Sequence, residues 1–314
     1  MNKSYPRSAY PLRWLTLWIA LTLLYAPAVS HASRSPDVVV SIKPIHSLLA
    51  GVMKGVGKPK LLIEGAVSAH VYTMTPSDAR KLSAADVVFW VGKPLEPYLE
   101  KAIQSLAANA HIVTLLEQRE ILVASERTDG DWNHDNHEPS DHHATDPHIW
   151  LDPTNAKQIV RLAVTKLSQL DPNHANVYAA NGAELISRLD HIDTEIAAKL
   201  APINAVPYMV FHDAYQGFEK HFGTHAVGSI TINPERKPGA RRLGEIRARV
   251  RDRKVRCVFA EPQFEPTLIG TITQGTSAKI GTLDPMGADI TAGPEAYFIL
   301  INAMADALLT CLSD

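Results

Sequence analysis

Cysteine is nearly absent from this chain of 314 residues: Cys257 and Cys311 are the only two. They allow one disulfide at most, closing a loop of 54 residues, or else two buried thiols. Charge of one sign is also missing. The 31 Lys and Arg against 33 Asp and Glu leave a net charge of −2, so nothing in the balance marks a nucleic-acid binder. There is no His-Glu-x-x-His pair and no general base at a fixed spacing from one, which weighs against a zinc-dependent hydrolase. No Gly/Ser linker divides the chain. Beyond the first 32 residues, no apolar run reaches membrane-spanning length.

The first 32 residues read as a secretory signal peptide. Lys3, Arg7 and Arg13 precede a short apolar core from Trp14 to Tyr25, and Ser30-His31-Ala32 or Ala26-Pro27-Ala28 supplies small residues for cleavage. Export would place both cysteines in an oxidising compartment, where a bridge is favoured over free thiols.

Histidine, by contrast, is concentrated. Between Glu126 and Pro153 lie five of the fourteen histidines (His134, His137, His142, His143 and His148), with seven acids before His148 against the single base Arg127. Neutral imidazole is a common ligand for zinc and similar ions, so the tract raises a metal hypothesis. Its middle lacks large apolar residues apart from Trp132, and the expectation there is a solvated loop.

The rest of the chain alternates short Val- and Ile-rich runs with helical patterns, the grammar of α/β units with parallel strands. Val38–Ile42, Lys60–Ile63, Val87–Val91 and Ile112–Leu115 read as strands of a first lobe spanning 33–170. Tyr208–Phe211, Ala226–Ile230, Val255–Ala260 and Ile280–Leu283 repeat the pattern in a second, 201–314. Thr75-Pro76-Ser77-Asp78 gives an N-cap, Pro at N1 and an acid in the first turn of a helix. A long helical pattern over 173–200, with Val177, Leu185, Leu189, Ile192 and Ile196 as its apolar positions, joins the lobes. The basic run from Arg241 to Arg256 reads as a solvated helix face, or else as a docking surface. Ligands of open α/β sheets bind beyond the strand carboxyl ends, so the expected site is the cleft between the lobes.

His70 falls in the loop after the second strand, His148 at the end of the acidic tract, His212 directly after a strand, and Asp284 after the last one. Their separations are far longer than in a zinc finger, so the fold itself would assemble such a site. Three imidazoles with one oxygen suit zinc better than manganese or magnesium, which prefer carboxylate-rich sets. Taken singly, each residue has an ordinary reading: a hydrogen-bonded surface histidine, a turn at Asp284-Pro285, or a helix cap or imidazole-orienting partner at Asp213.

Five segments in order, Gly65-Ala66-Val67-Ser68-Ala69-His70-Val71-Tyr72 with Pro76-Ser77-Asp78, Pro147-His148-Ile149-Trp150-Leu151-Asp152-Pro153, Phe211-His212-Asp213-Ala214-Tyr215, Cys257-Val258-Phe259-Ala260-Glu261-Pro262-Gln263-Phe264, and Gly281-Thr282-Leu283-Asp284-Pro285-Met286-Gly287, closely resemble the periplasmic zinc-binding proteins of bacterial ABC-type zinc importers, the ZnuA type. The resemblance implies two α/β lobes joined by a long rigid helix. It also implies a monomeric periplasmic protein that is not an enzyme, with Zn2+ bound between the lobes for delivery to the membrane subunit of an ABC permease. His70, His148 and His212 match the three family histidines, and Asp284 matches the aspartate that completes the site in manganese-binding relatives. Some zinc members carry Glu before the first histidine; Ala69 stands here, leaving the fourth position to Asp284 or water. A His/acid-rich loop with accessory metal ligands (His134, His137, His142, His143) and a Cys257–Cys311 disulfide are likewise implied. A manganese or iron carrier is the rival within the family, disfavoured by His212 where a carboxylate would be expected; a metal-binding adhesin is another. Deleting Asp129 to Thr145 is predicted to leave one tight zinc site and abolish weaker ones in calorimetry; loss of the tight site would contradict the assignment.

Overall fold

The structure is a computed structural model that describes residues 1–5, 34–127, 132, 145–231, 234, 238–264 and 267–313. The chain divides into two units, Met1–Arg34 and Ser35–Asp314, and every element below belongs to the second. Most of the expected signal segment, and His134, His137, His142 and His143, lie outside the described residues.

Two four-stranded sheets organise the fold. The first contains β1 (Val38–Val40), β2 (Lys60–Leu61), β3 (Val87–Trp90) and β4 (His111–Thr114), in the order β2-β1-β3-β4. The second contains β5 (Tyr208–His212), β6 (Ala226–Thr231), β7 (Cys257–Ala260) and β8 (Lys279–Thr282), in the order β6-β5-β7-β8. All the pairings are parallel. Strands covered on both faces read as unbroken apolar runs, and the Val-Val-Val of β1 is fully buried. In each sheet the first strand sits at the reversal of strand order, where the connections diverge and open a crevice at the strand carboxyl ends. The carboxyl end of β5 is His212.

Helices cover both sheets: α1 (Lys43–Val52), α2 (Pro76–Ser83), α3 (Pro97–Leu106), α4 (Pro153–Leu170), α5 (Ala175–Leu200), α6 (Gln216–Phe222), α7 (Ala240–Asp252), α8 (Thr267–Thr273) and α9 (Ala296–Leu312). The expected start of α2 is present as a capping box, with Thr75 and Asp78 each binding the other's backbone N–H and Pro76 at N1. The long helix expected over 173–200 is the 26-residue α5, about 40 Å at 1.5 Å per residue, entered through a 3₁₀ turn at Pro172–His174. Gly182 lets it approach α4 closely, since a Cβ there would lie 2.4 Å from Val164 Cγ2. Helices α6 and α8 have no counterpart in the sequence reading; seven residues are two turns, too few for a periodic pattern to stand out.

The largest apolar core does not stop at the lobe boundary. It runs from Val38, Val40 and Leu49 through Leu189 and Ile196 to Tyr208, Tyr297, Met304 and Leu312. A smaller cluster under α7 and α8 includes Met209, Ile246, Val250 and Ile272. Helix α7 turns Ile246 and Val250 inward, while Arg241 and Arg242 pair with Glu245 on the outer side, as a solvated basic face does. Polar ties also cross between the lobes. Tyr297 N–H donates to Ser47 Oγ at 2.9 Å, Trp150 Nε1 to the Pro285 carbonyl at 2.8 Å, and Lys43 Nζ to the carbonyls of Gly287 and Ala288.

Cys257 of β7 and Cys311 of α9 form a disulfide that pins the closing helix to the second sheet. Closing a loop of this separation removes about 4 kcal/mol of denatured-state freedom in the chain-entropy picture. Replacing both cysteines by serine is predicted to lower the urea midpoint of the metal-free protein by an amount equivalent to about 2–5 kcal/mol. An unchanged midpoint would mean that the bridge does not stabilise the fold.

Candidate metal centre

Two loops and the carboxyl end of β5 deliver three histidines to one point. His70 stands in the loop between β2 and α2, its backbone N–H held by Ser68 Oγ at 3.3 Å. His148 follows Asp146-Pro147 and begins the 3₁₀ turn Ile149–Leu151, whose Trp150 is wholly buried and fixed by its bonds to Pro285 and Tyr297. His212 ends β5. His148 Nε2 lies 3.3 Å from His70 Nε2 and 3.3 Å from His212 Nε2, and the three donor atoms fall within 4.8 Å of one another.

Buried carboxylates set the orientation of two of these rings. His148 Nδ1 meets Asp146 Oδ1 at 2.8 Å, and the same oxygen accepts the His148 backbone N–H at 3.0 Å. His212 Nδ1 meets Glu261 Oε1 at 2.7 Å. A carboxylate only accepts, so Nδ1 carries the proton and the Nε2 lone pair is turned inward, the arrangement that orients and strengthens an imidazole ligand. His70 lacks such a partner among the described residues. Burial, reinforced by His148 and His212, lowers its pKa to about 2, so it too presents a neutral ring at ordinary pH.

The histidines line a cavity of about 20 Å3, together with Ser68, Ala69, Leu95, Trp150, Glu261, Gln263, Phe264, Pro285 and Met286. Its walls are mostly apolar, so a cation placed there would depend on the converging lone pairs to offset its desolvation. The donor set fits zinc in its spacing as well as its chemistry. Two ligands at 2.0–2.1 Å from a tetrahedral centre stand roughly 3.3–3.4 Å apart, the separation of the paired nitrogens here.

Asp284 is not part of this cluster. Its Oδ1 accepts from Met286 N–H at 3.0 Å, Gly287 N–H at 2.9 Å and Gln263 Nε2 at 2.8 Å, and its Oδ2 from Ala288 N–H at 2.5 Å. The turn reading of Asp284-Pro285 thus describes its observed partners. Asp213 neither caps α6 nor orients His212. It is buried, which raises its pKa well above the carboxylate range despite the guanidinium of Arg127 at 3.3 Å.

Sequence reasoning missed Asp146 and Glu261 as imidazole partners, although an acid two residues before His148 was a readable signal. It also missed how the acidic tract is rooted. Ser125 bridges Thr145 across its base, while Arg127 reaches Asp213 and Glu219 of the second lobe. The Trp132 ring stacks on Arg127 at 3.7 Å.

The chain is similar to known proteins over most of its length. The model of the family described as zinc-uptake complex component A, periplasmic, matches residues 38–311. The high-affinity zinc uptake system protein ZnuA of Brucella suis is 41% identical over 313 residues, covering 90% of this chain and 94% of that protein. Its namesake from Yersinia pestis is 35% identical, covering 96% and 98%. Among solved structures, a crystal structure of ZnuA superposes with a TM-score of 0.76 at 23% identity, covering 89% of this chain and all of that one. The laminin-binding adhesin Lmb of Streptococcus agalactiae, as a mutant structure, reaches 0.75 at 22% identity, covering 88% and 100%; these two likenesses bear on the fold alone. By its matched length and its relatives, this chain belongs to the family of periplasmic zinc-uptake components A.

Proposed function

We propose that this protein captures Zn2+ in the periplasm with His70, His148 and His212 and hands it to the membrane permease of an ABC importer. The observation that carries the reading is the pair of 3.3 Å separations between Nε2 atoms, the edge of a tetrahedral zinc site. The donor chemistry supports zinc over manganese or iron, because all three clustered groups are imidazoles and the nearest carboxylates are engaged with imidazole Nδ1 atoms. Membership of a zinc-uptake family argues against hydrolysis. Zinc is therefore cargo, not a cofactor. Residues 1–32 act as the export signal, and among the described residues no helix is long and apolar enough to cross a membrane.

Replacing His70, His148 or His212 singly by alanine is predicted to weaken zinc binding by more than about 100-fold, beyond the 10–100-fold typical of losing an outer-shell partner. Competition with a chromophoric chelator measures this, with manganese run in parallel. Unchanged affinity in two of the three variants contradicts the reading.

A pH dependence follows for the metal-free protein. His70 is harder to protonate folded than unfolded, its pKa falling from 6.5 to about 2 through burial, so below about 6.5 the unfolded chain binds the extra proton. This contribution to stability is present above that pH and is lost as pH falls toward the folded value. The melting temperature of metal-free protein is predicted to drop between pH 7 and pH 5, and to drop less in His70→Gln; an equal drop in both contradicts it.

A further inference from the structure

Away from the three clustered histidines, His221 of α6 stands between two carboxylates of different elements. Its Nε2 lies 2.7 Å from Asp193 Oδ1 of α5, and its Nδ1 lies 3.3 Å from Oδ1 of Asp152, the N-cap of α4. The side chains of His221, Asp193 and Asp152 are only 21%, 19% and 14% exposed. Gly217, one turn before His221, presses the same helix onto that cap: a Cβ there would lie 3.3 Å from Asp152 Cβ. The contact joins the second lobe to the first and to the long helix between them.

A carboxylate only accepts, so both ring nitrogens must carry protons for both contacts to be bonds, and the ring is then an imidazolium. The surroundings favour that form. Asp152 first, and Asp193 after it, raise the His221 pKa above its ordinary 6.5 against the lowering effect of burial. Burial alone would raise the Asp152 pKa, yet bonds from His221 and the Thr154 backbone N–H hold it below the usual carboxylate value. Lys157 of α4 takes the other oxygen of Asp193 at 3.2 Å and reaches Asp190 at 2.9 Å. On α6 itself, Glu219 pairs with Arg127 and Lys220 is exposed. The Thr154 hydroxyl, 3.4 Å from Nδ1, is the rival partner: as a donor to Nδ1 it would leave the ring neutral.

We propose that protonated His221 is a pH-sensitive latch that ties the second lobe to α4 and α5 and lets go as it loses its proton. The latch goes beyond the zinc reading and needs no bound ion. His221 and His148 line one cavity of about 240 Å3, together with Asp146, Asp152 and Thr154, so the latch stands in the wall behind His148. A folded-state pKa above the unfolded one contributes stability that is fully present below about 6.5 and is lost as pH rises through the folded value. The His70 contribution runs the other way. Acid, which opposes metal binding by protonating imidazole ligands, therefore tightens the latch and keeps the lobes together.

Two-bond 1H–15N NMR of the histidine rings in the metal-free full chain, with melting temperatures measured across pH, tests this. The His221 ring is expected to carry protons on both nitrogens near pH 6 and to titrate above 6.5. His221→Gln should melt about 2–4 °C below the unaltered protein near pH 6, with the gap at least halved near pH 9. Asp193→Asn should draw the His221 titration back toward 6.5, which keeps the proposal testable if His221→Gln does not fold. Thr154→Val should leave the ring doubly protonated. A ring with one protonated nitrogen near pH 6, or a melting gap equal at pH 6 and pH 9, overturns the proposal. Zinc enters neither readout, so failure of the latch is distinguishable from failure of the zinc reading.

Discussion

Three imidazole nitrogens within 4.8 Å of one another, those of His70 and His212 each one zinc-site edge from that of His148, are the constraint that the rest of this structure serves. Inward-facing lone pairs in an apolar cavity repel one another until a cation sits between them. Something else must therefore hold the rings in place beforehand. At His148 and His212 that support is a buried carboxylate on Nδ1, which fixes both the tautomer and the ring plane. At His70 it is burial itself, which keeps the ring neutral. Such pre-organisation reduces the ordering cost that a flexible ligand set would meet on binding.

The fold supplies these supports through repetition. Both sheets have the same strand order, and the residues at issue come from strand carboxyl ends: His212 from β5, Glu261 from β7 and Asp284 from β8. The two ends are held together by an apolar core that crosses between the lobes, by the Lys43 and Trp150 bonds to the Asp284 loop, and by α9, which is tied to β7 through the disulfide and to Ser47 through Tyr297. Domain motion is the usual expectation for small polar interfaces, but a continuous apolar interface resists it. Metal exchange in such a molecule is better served by local changes at the ligands than by wide opening.

The α/β architecture was legible because buried parallel strands leave unbroken apolar runs. The start of α2 was legible because Thr75, Pro76 and Asp78 each satisfy a specific need of a helix terminus. The three histidines could be singled out because each stands beside a strand end or closes a conspicuous tract. Asp284 was harder: an aspartate before proline reads equally as a ligand or as a turn, and the backbone donors that hold it are those of the turn. Glu261 pairs with a residue 49 positions away, and no local pattern announces such a partner. Arg127 was counted as the lone base of an acidic tract, yet its bonds to Asp213 and Glu219 exist only once the second lobe is folded. The accessory histidines of that tract lie outside the described residues.

The central claim is that one zinc ion sits among His70, His148 and His212 in tetrahedral coordination. X-ray absorption at the zinc edge, on full-length protein loaded with one equivalent, tests it most directly. The account predicts three imidazole nitrogens and one oxygen at about 2.0–2.1 Å, with the multiple-scattering signature of histidine rings. A first shell dominated by oxygens, or one in which fewer than three imidazoles contribute, would contradict it.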